Sequence, residues 1–229
     1  MSQIQLYSAI LCPFAHQVRL TLLEKGVPFE LIEIDPQNKP ANFLEISPYG
    51  KVPVLKHGDR HIWESAIVNE YLEEVFPDPP LLPKEPMQRA QARILINFAD
   101  TQLFATTHKL LISQNPLQQV EGVNKLTDSL RFIEQEGLQK LSEDESYWLG
   151  EEISLVDLTF YPWFEQLVVL EHFRGFQLPS GLNRLQQWKA KVARRESVRS
   201  ISNPPEFYLE HYGRLFQMMF DLHQPTLKQ

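Results

Sequence analysis

Phe76-Pro77-Asp78-Pro79-Pro80-Leu81-Leu82-Pro83-Lys84-Glu85-Pro86 divides this chain of 229 residues into two parts of different periodicity. Five of its eleven residues are proline. Proline has no N–H and a fixed φ, so it neither continues a helix nor sits in a central strand, and the stretch reads as an extended connection. Short mixed elements precede it; helix follows helix after it. The expected division is residues 1–78, a linker over 79–86, and an all-helical part over 87–229.

Upstream, Ile4 to Tyr7 reads as a strand and Pro13 to Lys25 as a helix. Val18, Leu22 and Leu23 share one face of that helix, and Gly26 stops it. Phe29 to Ile34 is rich in strand formers and Pro40 to Ile46 reads as a short helix. Val52 to Leu55 and His61 to Trp63 are short strands parted by Gly58-Asp59, and Ser65 to Val75 is helical. The order β-α-β-α-β-β-α is similar to the thioredoxin fold, so the fold class is an α/β thioredoxin-like part plus an all-α part. Downstream, Leu126, Leu130, Ile133, Leu138 and Leu141 make one apolar stripe, and Leu182, Leu185, Trp188 and Val192 another. Leu155 to Leu170 is apolar nearly all round, the mark of a helix at the centre of a bundle. Ser154 and Asp157 at its start fit a capping box, with Ile153 and Leu158 at the staple positions.

Composition excludes several functions. With 22 basic against 29 acidic residues and a net charge of -7, no concentrated positive face for nucleic acid is expected. The single cysteine rules out an internal disulfide and a multi-cysteine zinc site, and no metal is expected. No leader pattern is read before Ile4, and no apolar run approaches the ~20 residues of a membrane span. An unpaired thiol fits a reducing, cytoplasmic compartment.

Three short segments offer chemistry. In Leu11-Cys12-Pro13-Phe14-Ala15, Pro13 suits the first helical position, which makes Cys12 the N-cap. Its sulfur then lies near unpaired N–H groups, and a thiolate gains from them and from the helix dipole, so a lowered thiol pKa is expected. Ala15 stands where a second cysteine would serve a dithiol; a mixed disulfide on Cys12 would need an external thiol to resolve it. In Gly50-Lys51-Val52-Pro53-Val54-Leu55, a cis Val52-Pro53 bond would leave the Val52 backbone free to pair with a peptide-like ligand. In Trp63-Glu64-Ser65-Ala66, at a strand-to-helix junction, N–H groups and the Ser65 hydroxyl suit a carboxylate while Glu64 suits an ammonium. Plain helix capping is the competing reading.

Together these segments resemble the glutathione transferases, most closely the omega class. Cys12-Pro13-Phe14-Ala15 with Arg19 resembles the active-site motif of that class, and Asn38-Lys39-Pro40, Val52-Pro53-Val54-Leu55 and Glu64-Ser65-Ala66-Ile67 follow its glutathione site in order and spacing. Ser154-Leu155-Val156-Asp157 resembles the capping box of the transferases, and Pro162-Trp163-Phe164-Glu165 the helical part of the omega class. The resemblance implies Cys12 as the catalytic residue, forming a mixed disulfide with the cosubstrate glutathione. It implies Phe14, Lys39, Val52, Pro53, Glu64 and Ser65 as glutathione-binding. Trp163, Phe207, Tyr208 and Tyr212 would border a second-substrate site between the two parts. His16, where the class carries a charged residue, is expected to face water.

The implied activity is a thioltransferase acting on disulfides, dehydroascorbate or glutathionyl conjugates. Conjugation of glutathione to carbon electrophiles is the alternative, with Tyr7 or Ser8 supplying a hydroxyl. A non-enzymatic binding protein of the same fold is the other. The partners implied are glutathione and a small electrophilic or disulfide substrate. A homodimer is expected, joined through the Ser65 to Val75 helix and the helix beginning near Met87.

Overall fold

The computed structural model describes residues 3–141 and 147–221, with the side chains of the last two left aside. Four strands, β1 (Ile4–Ser8), β2 (Glu30–Glu33), β3 (Val54–His57) and β4 (Arg60–Trp63), form one sheet in the order β2-β1-β3-β4. Leu6 of β1 pairs in parallel with Leu31 and antiparallel with Leu55, and β3 and β4 form a hairpin turned at Gly58, whose φ is 61°. Helices α1 (Pro13–Glu24) and α3 (Ser65–Val75) cover one face, burying Val18, Leu22, Val68 and Leu72 against Ile4, Leu6 and Leu55. The short α2 (Phe43–Ile46) covers the other face, with Phe43 against Ile34, Val54 and Tyr7. It begins three residues later than Pro40, where the sequence places it.

The proline stretch is ordered rather than merely extended. Buried Lys25 ends the α1 turn, pairs with Glu73 of α3 at 2.7 Å, and donates to the carbonyls of Phe76 at 2.7 Å and Pro79 at 2.9 Å. Glu73 accepts the N–H groups of Leu81 and Leu82. Leu81 and Leu82 then bury their side chains in the helical core.

The rest is helical: α4 (Pro86–Phe98), a π-helical stretch over Ala99–Phe104, α5 (Ala105–Ile112), α6 (Pro116–Phe132), a second π stretch over Ile133–Leu138 and α7 (Gln139–Leu141). Then come α8 (Leu155–Glu165), α9 (Leu167–Arg174), α10 (Asn183–Val192), α11 (Glu196–Arg199) and α12 (Pro205–Asp221). All of Leu155 to Phe164 is buried, which places α8 at the centre. The continuous apolar run to Leu170 is nonetheless two helices. Gln166, at φ -90° and ψ 4°, leaves the helical path after the internal Pro162, and α9 starts afresh. The capping box at Ser154 is present: Asp157 accepts the Ser154 N–H at 2.8 Å and its hydroxyl at 2.6 Å. Gly137 has to be glycine, because any side chain there would run into the Trp148 ring.

α1 joins the two parts. It packs along α8, Gln17 donates to the Thr159 carbonyl at 3.2 Å, and Glu24 takes both ends of the Arg195 guanidinium at 2.6 Å. Among the described residues no helix is long and apolar enough to cross a membrane, and no cluster of His, Cys, Asp and Glu could hold a metal.

Candidate active site

Cys12 is the N-cap of α1, in extended backbone (φ -78°, ψ 111°), with Pro13 at the first helical position. Its sulfur accepts the Ala15 N–H at 3.4 Å and donates to the Val52 carbonyl at 3.6 Å. The turn before it is held from three sides. Glu33 at the end of β2 accepts the Ile10 N–H, Arg19 of α1 donates to the Ile10 carbonyl at 3.4 Å, and Gln166 donates to the Leu11 carbonyl at 3.2 Å. Gln166 is itself oriented by the Tyr212 hydroxyl, which donates to its Oε1 at 2.9 Å.

The lowered thiol pKa read from the sequence is not found. Burial pushes the Cys12 thiol up; the N–H groups of Ala15 and Phe14 and the charge of Arg19 pull it down by less, and Glu33 adds to the rise. The helix N-terminus is present as expected, but the sulfur is also covered and bonded to a carbonyl, and only the protonated thiol can make that bond. The sign follows directly. A raised pKa leaves less thiolate at neutral pH than a free cysteine has, so alkylation of the unliganded protein should be slow and should still be rising above the ordinary thiol range. Iodoacetamide labelling followed against pH measures this, and a plateau already reached at neutral pH would contradict it.

The second segment lies beside the first. Val52-Pro53 is a cis peptide, as is Asp78-Pro79. Pro53 is buried and Val52 half-buried. Lys39 is exposed, with its Nζ 3.8 Å from where a Cβ on Gly50 would stand, so its charge borders the same edge. Glu64 is the only non-glycine residue at positive φ among those described, at 67°, and its side chain makes no capping bond to α3. Plain capping is therefore not its role. A non-glycine residue held there costs about 1–3 kcal/mol, and such outliers gather at functional sites. Ser65 is buried at the first position of α3.

Asp100, in the first π stretch, was not singled out by its sequence context. It accepts from Gln17, feels the charge of Glu64, keeps one buried oxygen without a hydrogen bond, and is pushed up to about 6 by burial. A lone acid in a helical pattern carries no local signal; only the fold brings it toward Glu64.

A cleft of about 200 Å³ adjoins Cys12, walled by Phe14, Phe104, Trp163, Gln166, Tyr212 and Phe216. Phe14 and Phe104 rings lie 5.0 Å apart, and Trp163 Nε1 donates to Thr107 at 2.7 Å. Phe207 and Tyr208 are not in this wall. Tyr208 is fully buried with its hydroxyl on Glu165, and Phe207 packs against the His211 ring with centroids 4.0 Å apart. Tyr208, Tyr212 and Phe216 are four residues apart on one face of α12. Tyr212 and Phe216 reach the cleft, while Tyr208, one turn nearer the helix start, meets Glu165 instead, and Phe207 lies on another side of the helix.

His16 does not face water. It is fully buried where α1 meets α8, 3.8 Å from Glu165. Burial, helped by Arg19, lowers it to about 3, so this approach is between a neutral imidazole and a carboxyl group. Of the two hydroxyls that could serve the conjugating alternative, Ser8 is fully buried, and Tyr7 points to the α2 side of the sheet, against Phe43 and His61.

Residues 6–80 match the family model for the glutathione S-transferase N-terminal domain, and residues 112–188 that for its C-terminal domain. The chain is 33% identical to glutathione S-transferase U19 of Arabidopsis thaliana over 88% of this chain and 90% of that protein. It is 35% identical to a probable glutathione S-transferase DHAR1, cytosolic, of Oryza sativa subsp. japonica over 81% of each. The crystal structure of glutathione transferase Omega 3C from Trametes versicolor is similar with a TM-score of 0.78 at 28% identity, covering 89% of this chain and 91% of that one.

Proposed function

The chain belongs to the glutathione S-transferase family, enzymes with glutathione as cosubstrate, and on that footing we propose that it is a thioltransferase working through Cys12. The observation that carries this reading is the sulfur at the α1 N-terminus, beside the Val52 edge, with the next two residues, Pro13 and Phe14, lining the cleft. In the first step the Cys12 thiolate attacks the glutathione sulfur of a mixed disulfide. A Cys12–glutathione bond forms, the substrate's S–S bond breaks, and the substrate leaves as a thiol after taking a proton. In the second step the thiolate of a free glutathione attacks the glutathione sulfur bound to Cys12. Oxidised glutathione leaves and the Cys12 thiolate returns. Conjugation to carbon electrophiles has less support, because Ser8 is buried and Tyr7 faces the α2 side. Assaying the protein on a glutathione mixed disulfide and on a carbon electrophile separates the two; turnover of the second alone would overturn the proposal.

Glutathione would pair its cysteinyl part with the Val52 backbone beside Pro53, with Phe14 next to the thiol. Glu64 and Ser65 would take the γ-glutamyl ammonium and carboxylate, and Lys39 the glycyl carboxylate. A charge-assisted contact contributes roughly 1.5–3 kcal/mol, about ten- to hundredfold in affinity. Lys39→Ala, Glu64→Ala and Ser65→Ala should each weaken glutathione binding by about that factor. Calorimetry showing wild-type affinity in all three would remove the site.

The second substrate would enter the aromatic cleft at Trp163 and Tyr212. The lone thiol and the cytosolic relative support a cytoplasmic location. A homodimer is supported by Ile67 on α3 and Met87 and Ile94 on α4, which are 58%, 66% and 65% exposed. The Arg93–Glu70 pair at 2.7 Å fixes these two helices to each other. Light scattering at micromolar concentration should give twice the chain mass, and a monomer mass would count against it.

A further inference from the structure

The reactive group of the proposed mechanism is a thiolate, yet the free site favours a thiol. Two bonds on Cys12 pull in opposite directions. The Ala15 N–H, 3.4 Å away, donates to sulfur and favours the thiolate. The Val52 carbonyl, 3.6 Å away, accepts from S–H and favours the thiol. That carbonyl belongs to the backbone edge on which the glutathione reading places the ligand's cysteinyl amide, so the ligand N–H and the Cys12 S–H compete for one oxygen.

We propose that the Val52 carbonyl holds Cys12 in its protonated state in the free enzyme, and that glutathione releases the thiol by taking this acceptor with its own amide N–H. On release the thiol proton passes to solvent water and sulfur keeps the electron pair. The Ala15 N–H then remains as its hydrogen-bond partner, with the helix N-terminus behind it. The site is thereby sluggish toward stray electrophiles when empty and reactive when loaded. The other charged or titratable groups that act on the sulfur are Arg19 on α1, Glu33 at the end of β2 and Tyr212 on α12. None of them is on the contested edge, so their influence is carried through both states.

This inference rests on glutathione docking along Val52, and the test separates the two claims. The probe is γ-glutamyl-alanyl-glycine, which keeps the glutathione backbone but has no sulfur to react or to block Cys12. Because the chain has one cysteine, its thiolate absorbance in the ultraviolet, with Cys12→Ala as blank, titrates that thiol alone. One hydrogen bond is worth enough to move the midpoint by about 0.3–1 pH unit. With the peptide saturating, the midpoint should fall by that amount, and iodoacetamide labelling at neutral pH should quicken by about two- to tenfold. A peptide that binds by calorimetry while the midpoint stays or rises would overturn the inference and leave the docking reading intact; a rise would mean that added burial of the sulfur wins. A peptide that does not bind would overturn both.

Discussion

Replacing Cys12 by alanine should cut disulfide-reducing activity by at least about a thousandfold, because removing a covalent nucleophile leaves only binding and orientation to act. The side chain is half-buried at an N-cap followed by Pro13, whose fixed φ suits the first helical position without the one sulfur bond to the Ala15 N–H. The variant should therefore fold and still bind glutathione, and only the chemistry should be lost. Activity is measured on a glutathione mixed disulfide, with calorimetric glutathione binding as the control for the intact site. Retention of disulfide reduction would refute the thioltransferase reading. Retention of carbon-electrophile conjugation would move attention to Tyr7 and to bound glutathione as the nucleophile.

The largest effect on stability should come from Asp157→Ala. One fully buried carboxylate accepts four hydrogen bonds: from the N–H groups of Trp148 at 3.1 Å and Ser154 at 2.8 Å, the Ser154 hydroxyl at 2.6 Å and Trp188 Nε1 at 2.7 Å. It fastens the start of α8 to the segment before it and to α10. Alanine leaves all four donors buried without an acceptor. At about 1–3 kcal/mol for each unsatisfied group, partly relieved by relaxation, the loss should be about 4 kcal/mol or more. For a chain of this size that lowers the melting temperature by roughly 8–16 °C. Asp157→Asn, which keeps the shape and one acceptor oxygen, should fall between. Thermal unfolding followed by circular dichroism checks both, and a shift under about 4 °C for alanine would show that the network carries little.

What could be read from the sequence was local. The cap at Cys12-Pro13, the Ser154–Asp157 box and the span of α3 are set by residues within one helical turn, and they stand where the sequence places them. What escaped depends on contacts from far along the chain. His16 has no apolar signature, and only the approach of α8 takes it out of water. Leu155 to Leu170 is apolar throughout, so no change of composition marks the break at Gln166. That break sets the carboxamide against Leu11 and Tyr212. Aromatic residues on α12 look alike in sequence; Tyr208 and Tyr212 even share a face, and which of them meets the cleft depends on where α8 and α9 lie along the helix. The thiol is the sharpest case. A helix N-terminus was legible and argued for a thiolate, but the covering of the sulfur and the Val52 carbonyl come from a segment 40 residues away. Those terms outweigh the dipole in the free protein.

The most direct test of Cys12 as the nucleophile is intact-mass spectrometry after exposure to oxidised glutathione. Ala15 cannot resolve an adduct, so each chain should gain one glutathione, keep it until reduced glutathione is added, and lose it then. Cys12→Ala should gain none. A wild-type protein that binds glutathione yet takes up no adduct, even at a pH where the thiol ionises, would contradict the account.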